Sequence, residues 1–238
     1  MALTYNSFVM SLANMIVVPI SDPNYVAALP NIIDDAEQRL YRELDLLSTI
    51  VRDTGPLVAS NRNFVLPTAN GRFVVVEQMN VITPAGTTDP DLGTRNPMLP
   101  VSKEVLDSIG GGPSYTGLPT MFAPISQQNW IVGPARPDAA YTIEVVGTIR
   151  PAPLSFTNQN TFLTDYLPDV FLSAALVMAA GYQLNFSAAG DNPQAGVTWE
   201  THVQKLLDSA KIEEIRKKFG SQGWSSKSPD PVATPPRT

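Results

Sequence analysis

Hydrophobic positions change their period twice along this chain. In the first segment they recur at three- and four-residue steps. Tyr5, Phe8, Val9 and Leu12 share one helical face behind Thr4, a suitable N-cap, before Pro19 and Pro23 interrupt the pattern. In LPNIIDDAEQRLYRELDLL, Ile33, Ala36, Leu40, Leu44 and Leu47 form a second stripe. Asp34 and Asp35 are expected in its first turn, where the dipole favours negative charge, and Asp35 is spaced to pair with Arg39. Over residues 48–154 the period shortens to two. That segment holds thirteen prolines and ten glycines, which long helices do not tolerate, so it is predicted as β. Tyr141, Ile143 and Val145 alternate with Thr142 and Glu144 as in a half-buried strand. Residues 64–66 and 73–76 flank Asn70-Gly71 in the manner of a hairpin, and weaker strands fall near 121–123 and 129–132. Residues 102–109 read as a short helix ended by Gly110, Gly111 and Gly112. The run TPAGTTDPDLGTRNPMLP, residues 83–100, is too long and proline-rich for an ordinary connector and is expected to be a contact loop.

The helical period then returns in its most apolar form. From Val170 to Leu184 no charged side chain occurs, and Pro168 suits a first helical position because its missing N–H would have no partner there. A helix apolar on every face must be covered on every face. Its uninterrupted run is about fifteen residues, short of the roughly twenty that cross a bilayer, so neighbouring helices or neighbouring subunits must cover it. Asn192 and Pro193 can open a last helix that closes with Lys217, Lys218 and Gly220. Glu213 with Lys217, and Glu214 with Lys218, are spaced as acid-before-base pairs. The end of the chain, SQGWSSKSPDPVATPPRT, is too rich in Ser and Pro to form a core, and only Trp224 in it could anchor a partner.

Composition narrows the chemistry. The chain has 238 residues and no cysteine, which excludes disulfides, thiolate metal sites and a Cys nucleophile. Its net charge of −6 is uneven: residues 1–210 carry ten Lys and Arg against nineteen Asp and Glu, and residues 211–238 carry six against three. An acidic body of −9 repels nucleic acid, while a +3 tail can meet an acidic partner or stay solvated. The segment MALTYNSFVM lacks the positive start of a signal peptide. One histidine, His202, leaves little for a triad or a metal cluster, and G-x-S-x-G, H-E-x-x-H and G-x-x-x-x-G-K-[ST] are absent. Asp89, Asp91 and Gly93 resemble a calcium loop only until Pro100 falls where a glutamate is needed. Gly110 to Gly112 run into Pro113 rather than a helix, and Asp34, Asp35 and Glu37 read as a solvated helix face. No catalytic residue, metal ligand or cofactor is expected, and the chain is not expected to be an enzyme.

Several phrases in order resemble the head-to-tail adaptor, or connector, proteins of tailed bacteriophages. Ala36-Glu37 before Arg39 and Arg42 is similar to that family's helix in which an Ala-Glu pair precedes two arginines, and Gly117-Leu118-Pro119 to its G-x-P entry into paired strands. Trp130 to Pro134, Pro137-Asp138 and Tyr141 follow, and then Pro153-Leu154-Ser155, Asn160, Leu163 and Tyr166-Leu167-Pro168-Asp169. The resemblance implies an α+β fold. A helical bundle is formed by N- and C-terminal segments, 1–47 and 155–220, with an inserted antiparallel β-rich domain, 48–154, and an extended tail, 221–238. It implies a structural virion protein of the neck, assembled in the host cytoplasm as a dodecameric ring between portal and tail. The partners would be the portal protein, a tail or nozzle protein, further copies of the chain, and double-stranded DNA sliding past without specific binding; no membrane anchor is expected. Subunit packing would fall to Pro168, Phe171, Leu172, Leu176, Met178 and Tyr182. Portal binding would fall to Lys217, Lys218, Phe219, Trp224, Lys227 and Arg237, and tail binding to Thr87, Asp89, Asp91 and Arg95. The competing readings are a β-rich receptor- or carbohydrate-binding module, which would use exposed aromatics on the β segment, and an enzyme of unrecognised family.

Overall fold

The computed structural model describes residues 3–182 and 195–221, the side chains of 181, 182, 195, 196 and 219–221 excepted. Its elements in chain order are α1 (Tyr5–Met15), α2 (Pro23–Glu43), β1 (Ile50–Leu57), β2 (Asn63–Val65), β3 (Arg72–Thr83), β4 (Thr94–Pro97), β5 (Leu99–Pro100), α3 (Lys103–Ile109), β6 (Met121–Pro124), β7 (Asn129–Gly133), β8 (Tyr141–Arg150), α4 (Phe162–Tyr166), α5 (Pro168–Tyr182) and α6 (Ala195–Ser221). The class is α+β. Two compact units result: one runs to Leu47 and resumes at Pro153, and the other is Ser48–Ala152.

The helical unit starts with reciprocal capping. The Ser7 N–H donates to the Thr4 hydroxyl and the Thr4 N–H to the Ser7 hydroxyl, satisfying two N–H groups that α1 could not pair itself. At its other end α1 closes in a Schellman turn, in which the Val18 N–H reaches the Ala13 carbonyl and the Val17 N–H reaches that of Asn14. The left-handed position of that turn normally belongs to glycine; here it is Val17, with φ 56°. For a branched side chain this conformation costs about 1–2 kcal/mol.

Asp22 then caps α2, accepting from the N–H groups of Asn24 and Tyr25, and Pro23 takes the first helical position. Asp34 and Asp35 therefore lie in mid-helix rather than in the first turn. Arg39 pairs with Glu43 and Glu200 in place of the expected Asp35. Asp22-Pro23 is the stronger start signal, and α2 continues through the exposed ring of Pro30.

Between these helices and α6 lies α5, which packs against α1, α2, α4 and α6. Phe171 is fully buried and stacks on Phe8 with ring centroids 4.5 Å apart; Val170, Ser173, Ala174, Ala175, Leu176 and Ala179 are its other described buried positions. Small alanines let the neighbouring backbones come close. Burying the Phe171 ring contributes about 2–3 kcal/mol.

The second unit is two four-stranded sheets, ordered β1-β8-β3-β4 and β2-β7-β6-β5, antiparallel except for the β5–β6 pair. Alternation decides what faces inward. Phe73, Met79 and Val81 of β3 and Ile143, Val145 and Ile149 of β8 meet Phe64, Phe122 and Val132 of the other sheet in one core. The second sheet's opposite face, Ala123 and Ile131, is covered by Leu106 of α3. Where β3 bulges, a Cβ on Gly147 of β8 would lie 2.2 Å from the Val75 carbonyl oxygen, so this position admits only hydrogen.

Two local expectations change here. Asn70-Gly71 does not close a hairpin, because β2 pairs with β7 and β3 with β8 and β4; Gly71, φ 136°, turns the chain from one sheet to the other. Residues 83–100 are not an open loop. They hold a 3-10 turn at Pro90–Leu92 and the strands β4 and β5, because four residue pairs of β4 extend the edge of β3.

Candidate assembly surfaces

The predicted contact positions on α5 separate by burial. Phe171 and Leu176 are buried by the chain's own helices, while Pro168, Leu172 and Met178 are half-buried and keep part of their surface outward. The side chain of Tyr182 lies outside the described residues.

The basic positions of α6 are partly spent within the helical unit. Lys217 bridges Glu213 and Glu214, each at 2.8 Å, with its ammonium 5.6 Å from the Phe162 ring centroid, and Lys218 pairs with Asp45 rather than with Glu214. Glu214 turns inward because it has other work: its carboxylate accepts the Leu47 N–H at 3.1 Å. On α2, buried Glu37 accepts the Leu154 N–H at 3.0 Å. A buried carboxylate thus holds the backbone where the chain leaves the helical unit and another where it returns. Burial pushes Glu37 up from 4.5 to about 7, with the Leu154 N–H opposing the shift and Asp34 adding to it. The Phe219 side chain and Trp224, Lys227 and Arg237 lie outside the described residues.

In the β unit, Asp91 and Arg95 come together with residues from three further strands. Glu144 on β8 is 1% exposed and lies on the sheet face opposite Ile143 and Val145. Arg95 Nε donates to both its oxygens, at 3.1 and 3.0 Å; Asn80 Nδ2 donates at 2.8 Å, and Arg52 Nε lies 3.4 Å away. Both arginines also reach Asp91, which holds its carboxyl below the usual range, chiefly through Arg95. Thr87 and Asp89 stand on the preceding turn, where Asp89 accepts the Asp91 N–H. Leu92 is exposed at the tip of the same turn. The arrangement is a network of paired charges with the exposed Leu92 next to Asp91 in the chain.

The family comparison supports one of the readings these surfaces leave open. A family model described as SU10 adaptor protein matches residues 4–226. The chain belongs to that family. This accords with the resemblance to phage head-to-tail adaptors, and it makes the adaptor a structural component of the virion that meets other virion components. A comparison with curated proteins finds no match. No helix among the described residues of the adaptor is long and apolar enough to cross a membrane, and no group of three or more acidic or histidine side chains among them could hold a metal. His202 is exposed, with its ring edge-on to Trp199 at 6.0 Å.

Several features of the adaptor have weak sequence signals. The Arg39–Glu200 bridge, at 2.7 and 2.5 Å, joins α2 to α6 across a separation of 161 residues, which local spacing does not reveal. Glu144 looks like any outward residue of an alternating strand. Arg62, Lys103 and Arg136 line a cavity of about 250 Å³ in the β unit, where Asp107 pairs with both Arg62 and Lys103.

Proposed function

We propose that this adaptor forms a closed ring of many copies, a dodecamer by the family resemblance, that joins portal to tail in the virion neck and lets DNA pass. The family match over residues 4–226 is the observation that carries this reading. The acidic body supports it: residues that line a channel would present like charge to the phosphates, and a genome could slide without adhering. Repetition of one unlike-to-unlike contact until rotation closes would make the ring. The half-buried Leu172 and Met178 on α5 are positions where a neighbouring copy could complete the cover.

In this reading the helical unit and the basic chain end, with Lys217, Lys218, Phe219, Trp224, Lys227 and Arg237, engage the portal. The β unit receives the tail or nozzle protein on the surface formed by Thr87, Asp89, Asp91 and Arg95, with Leu92 as its apolar anchor. Purified adaptor is mixed with assembled portal, and copies are counted by electron microscopy. A ring seated on the portal is expected; adaptor that never joins it ends the proposal. Removing residues 222–238, beyond α6, should weaken docking at least tenfold and leave the circular dichroism spectrum unchanged. Unchanged affinity would detach the chain end from the portal.

A further inference from the structure

The first two helices carry a surface that nothing above uses. Between Leu3 and Ile33 the one charged side chain is Asp22, and it is occupied in capping α2. Yet this segment is not wholly inward. Among the described residues, Met10, Met15, Val17, Ile20 and Val26 are exposed, and the polar or ring-bearing neighbours Asn14, Pro19 and Asn24 are uncharged. Beside the turn, Ile16 and Val18 line a cavity of about 160 Å³ with Tyr25, Ile32 and Ala179.

Val17 is the most telling of these. It occupies the left-handed position of the Schellman turn, where glycine would sit without strain, and its side chain is 87% exposed. It strains its own turn and takes no part in the described helical core.

We propose that the face built from Met10, Met15, Val17, Ile20 and Val26 is one side of the contact between copies of this chain, an inference that rests on the ring reading above. Charge selects a second copy as the occupant. Residues 1–210 carry −9, so two copies repel over most of their surfaces, and a charge trapped between them would need a partner. This face brings no unpaired charge of its own to such a contact. DNA finds no cation to grip there, and a lipid surface finds none of the flanking Lys or Arg that would draw it. Depletion of charge with exposed methionine is also what the buried centre of a protein interface shows.

Three variants test it on portal particles and in free solution. Met15→Asp with Val17→Asp changes two exposed side chains; it should keep the free chain's helical signal and melting temperature and abolish ring formation on the portal. Val17→Gly relieves the turn and should raise the melting temperature of the free chain while weakening copy-to-copy association by about tenfold. Because the chain has no cysteine, Val17→Cys can carry a single environment-sensitive dye, whose emission should shift to the blue as copies assemble. A wild-type chain that never forms rings overturns the ring reading and this proposal with it. Wild-type rings matched by equally complete rings of the Asp double variant overturn this proposal alone. Variant rings that form but no longer seat on the portal assign the face to the portal, and likewise overturn it.

Discussion

At the residue scale, buried carboxylates set how this chain responds to pH. Glu37 titrates near 4.5 in an unfolded chain and at about 7 in the folded one, so between those values the folded state holds a proton that the unfolded state has released. Stability from this group is therefore lost as pH rises through that window and is level above it. Glu37→Gln keeps an oxygen for the Leu154 N–H and cannot ionise. It should flatten that limb and leave the variant more stable at pH 8 by up to roughly 3 kcal/mol. Urea unfolding at pH 5 and pH 8 measures this, and an equally steep limb in the variant would acquit Glu37. Glu200 has the opposite sign. Its hydrogen bonds to Arg39 bring it down from 4.5 to about 2, so its contribution is complete above 4.5 and disappears as pH falls through 2. Since Glu200 is 40% exposed and screened by water, a double-mutant cycle of Arg39→Ala and Glu200→Ala should give a coupling of only about 1 kcal/mol at pH 7 and none at pH 2.

Elements show which features a sequence can disclose. Thr4 and Ser102 mark the starts of α1 and α3 because a cap is a relation among residues three apart, and the alternation around Ile143 marks β8 because facing is set by the strand itself. Asn70-Gly71 announced a turn correctly and its strand partners wrongly, since turn residues specify backbone angles and not which strand will pair. The strands within residues 83–100 escaped for the same reason: their pairing with β3 and β6 is tertiary, and their prolines and polar residues speak against it locally. Asp91 and Arg95 stand out in the sequence of their segment, but the buried Glu144 that holds Arg95 in place does not, because burial of an alternating outward residue depends on what crosses above it. One element-level device is testable by a single methyl group. Gly147→Ala would drive its Cβ into the Val75 carbonyl at the β3 bulge, so the strand pair must part. A loss of at least roughly 2 kcal/mol is expected, read by chemical unfolding followed through Trp130 fluorescence in a Trp199→Phe, Trp224→Phe background. A variant as stable as the wild type would mean that β3 can straighten.

For the whole molecule, cores that do not cross between the units imply two folding units. All described buried residues of the helical core come from Phe8 to Leu46 and from Leu154 onward, and those of the β cores from Leu57 to Ile149. Neither core is shared. The helical unit also holds the two chain crossings by its own carboxylates, Glu214 at Leu47 and Glu37 at Leu154, so its backbone there is satisfied within the unit. Residues 48–152 expressed alone should therefore fold, since that unit contains both of its sheets, its covering helix and every partner of Glu144. The expected signs are a β-type circular dichroism spectrum, dispersed amide resonances and a cooperative urea transition. In the intact chain Glu37→Gln should then shift only the helical transition, and Gly147→Ala only the transition reported by Trp130. If the isolated segment stays unfolded, or if either substitution moves both transitions together, the units draw stability from each other and the adaptor unfolds as one body.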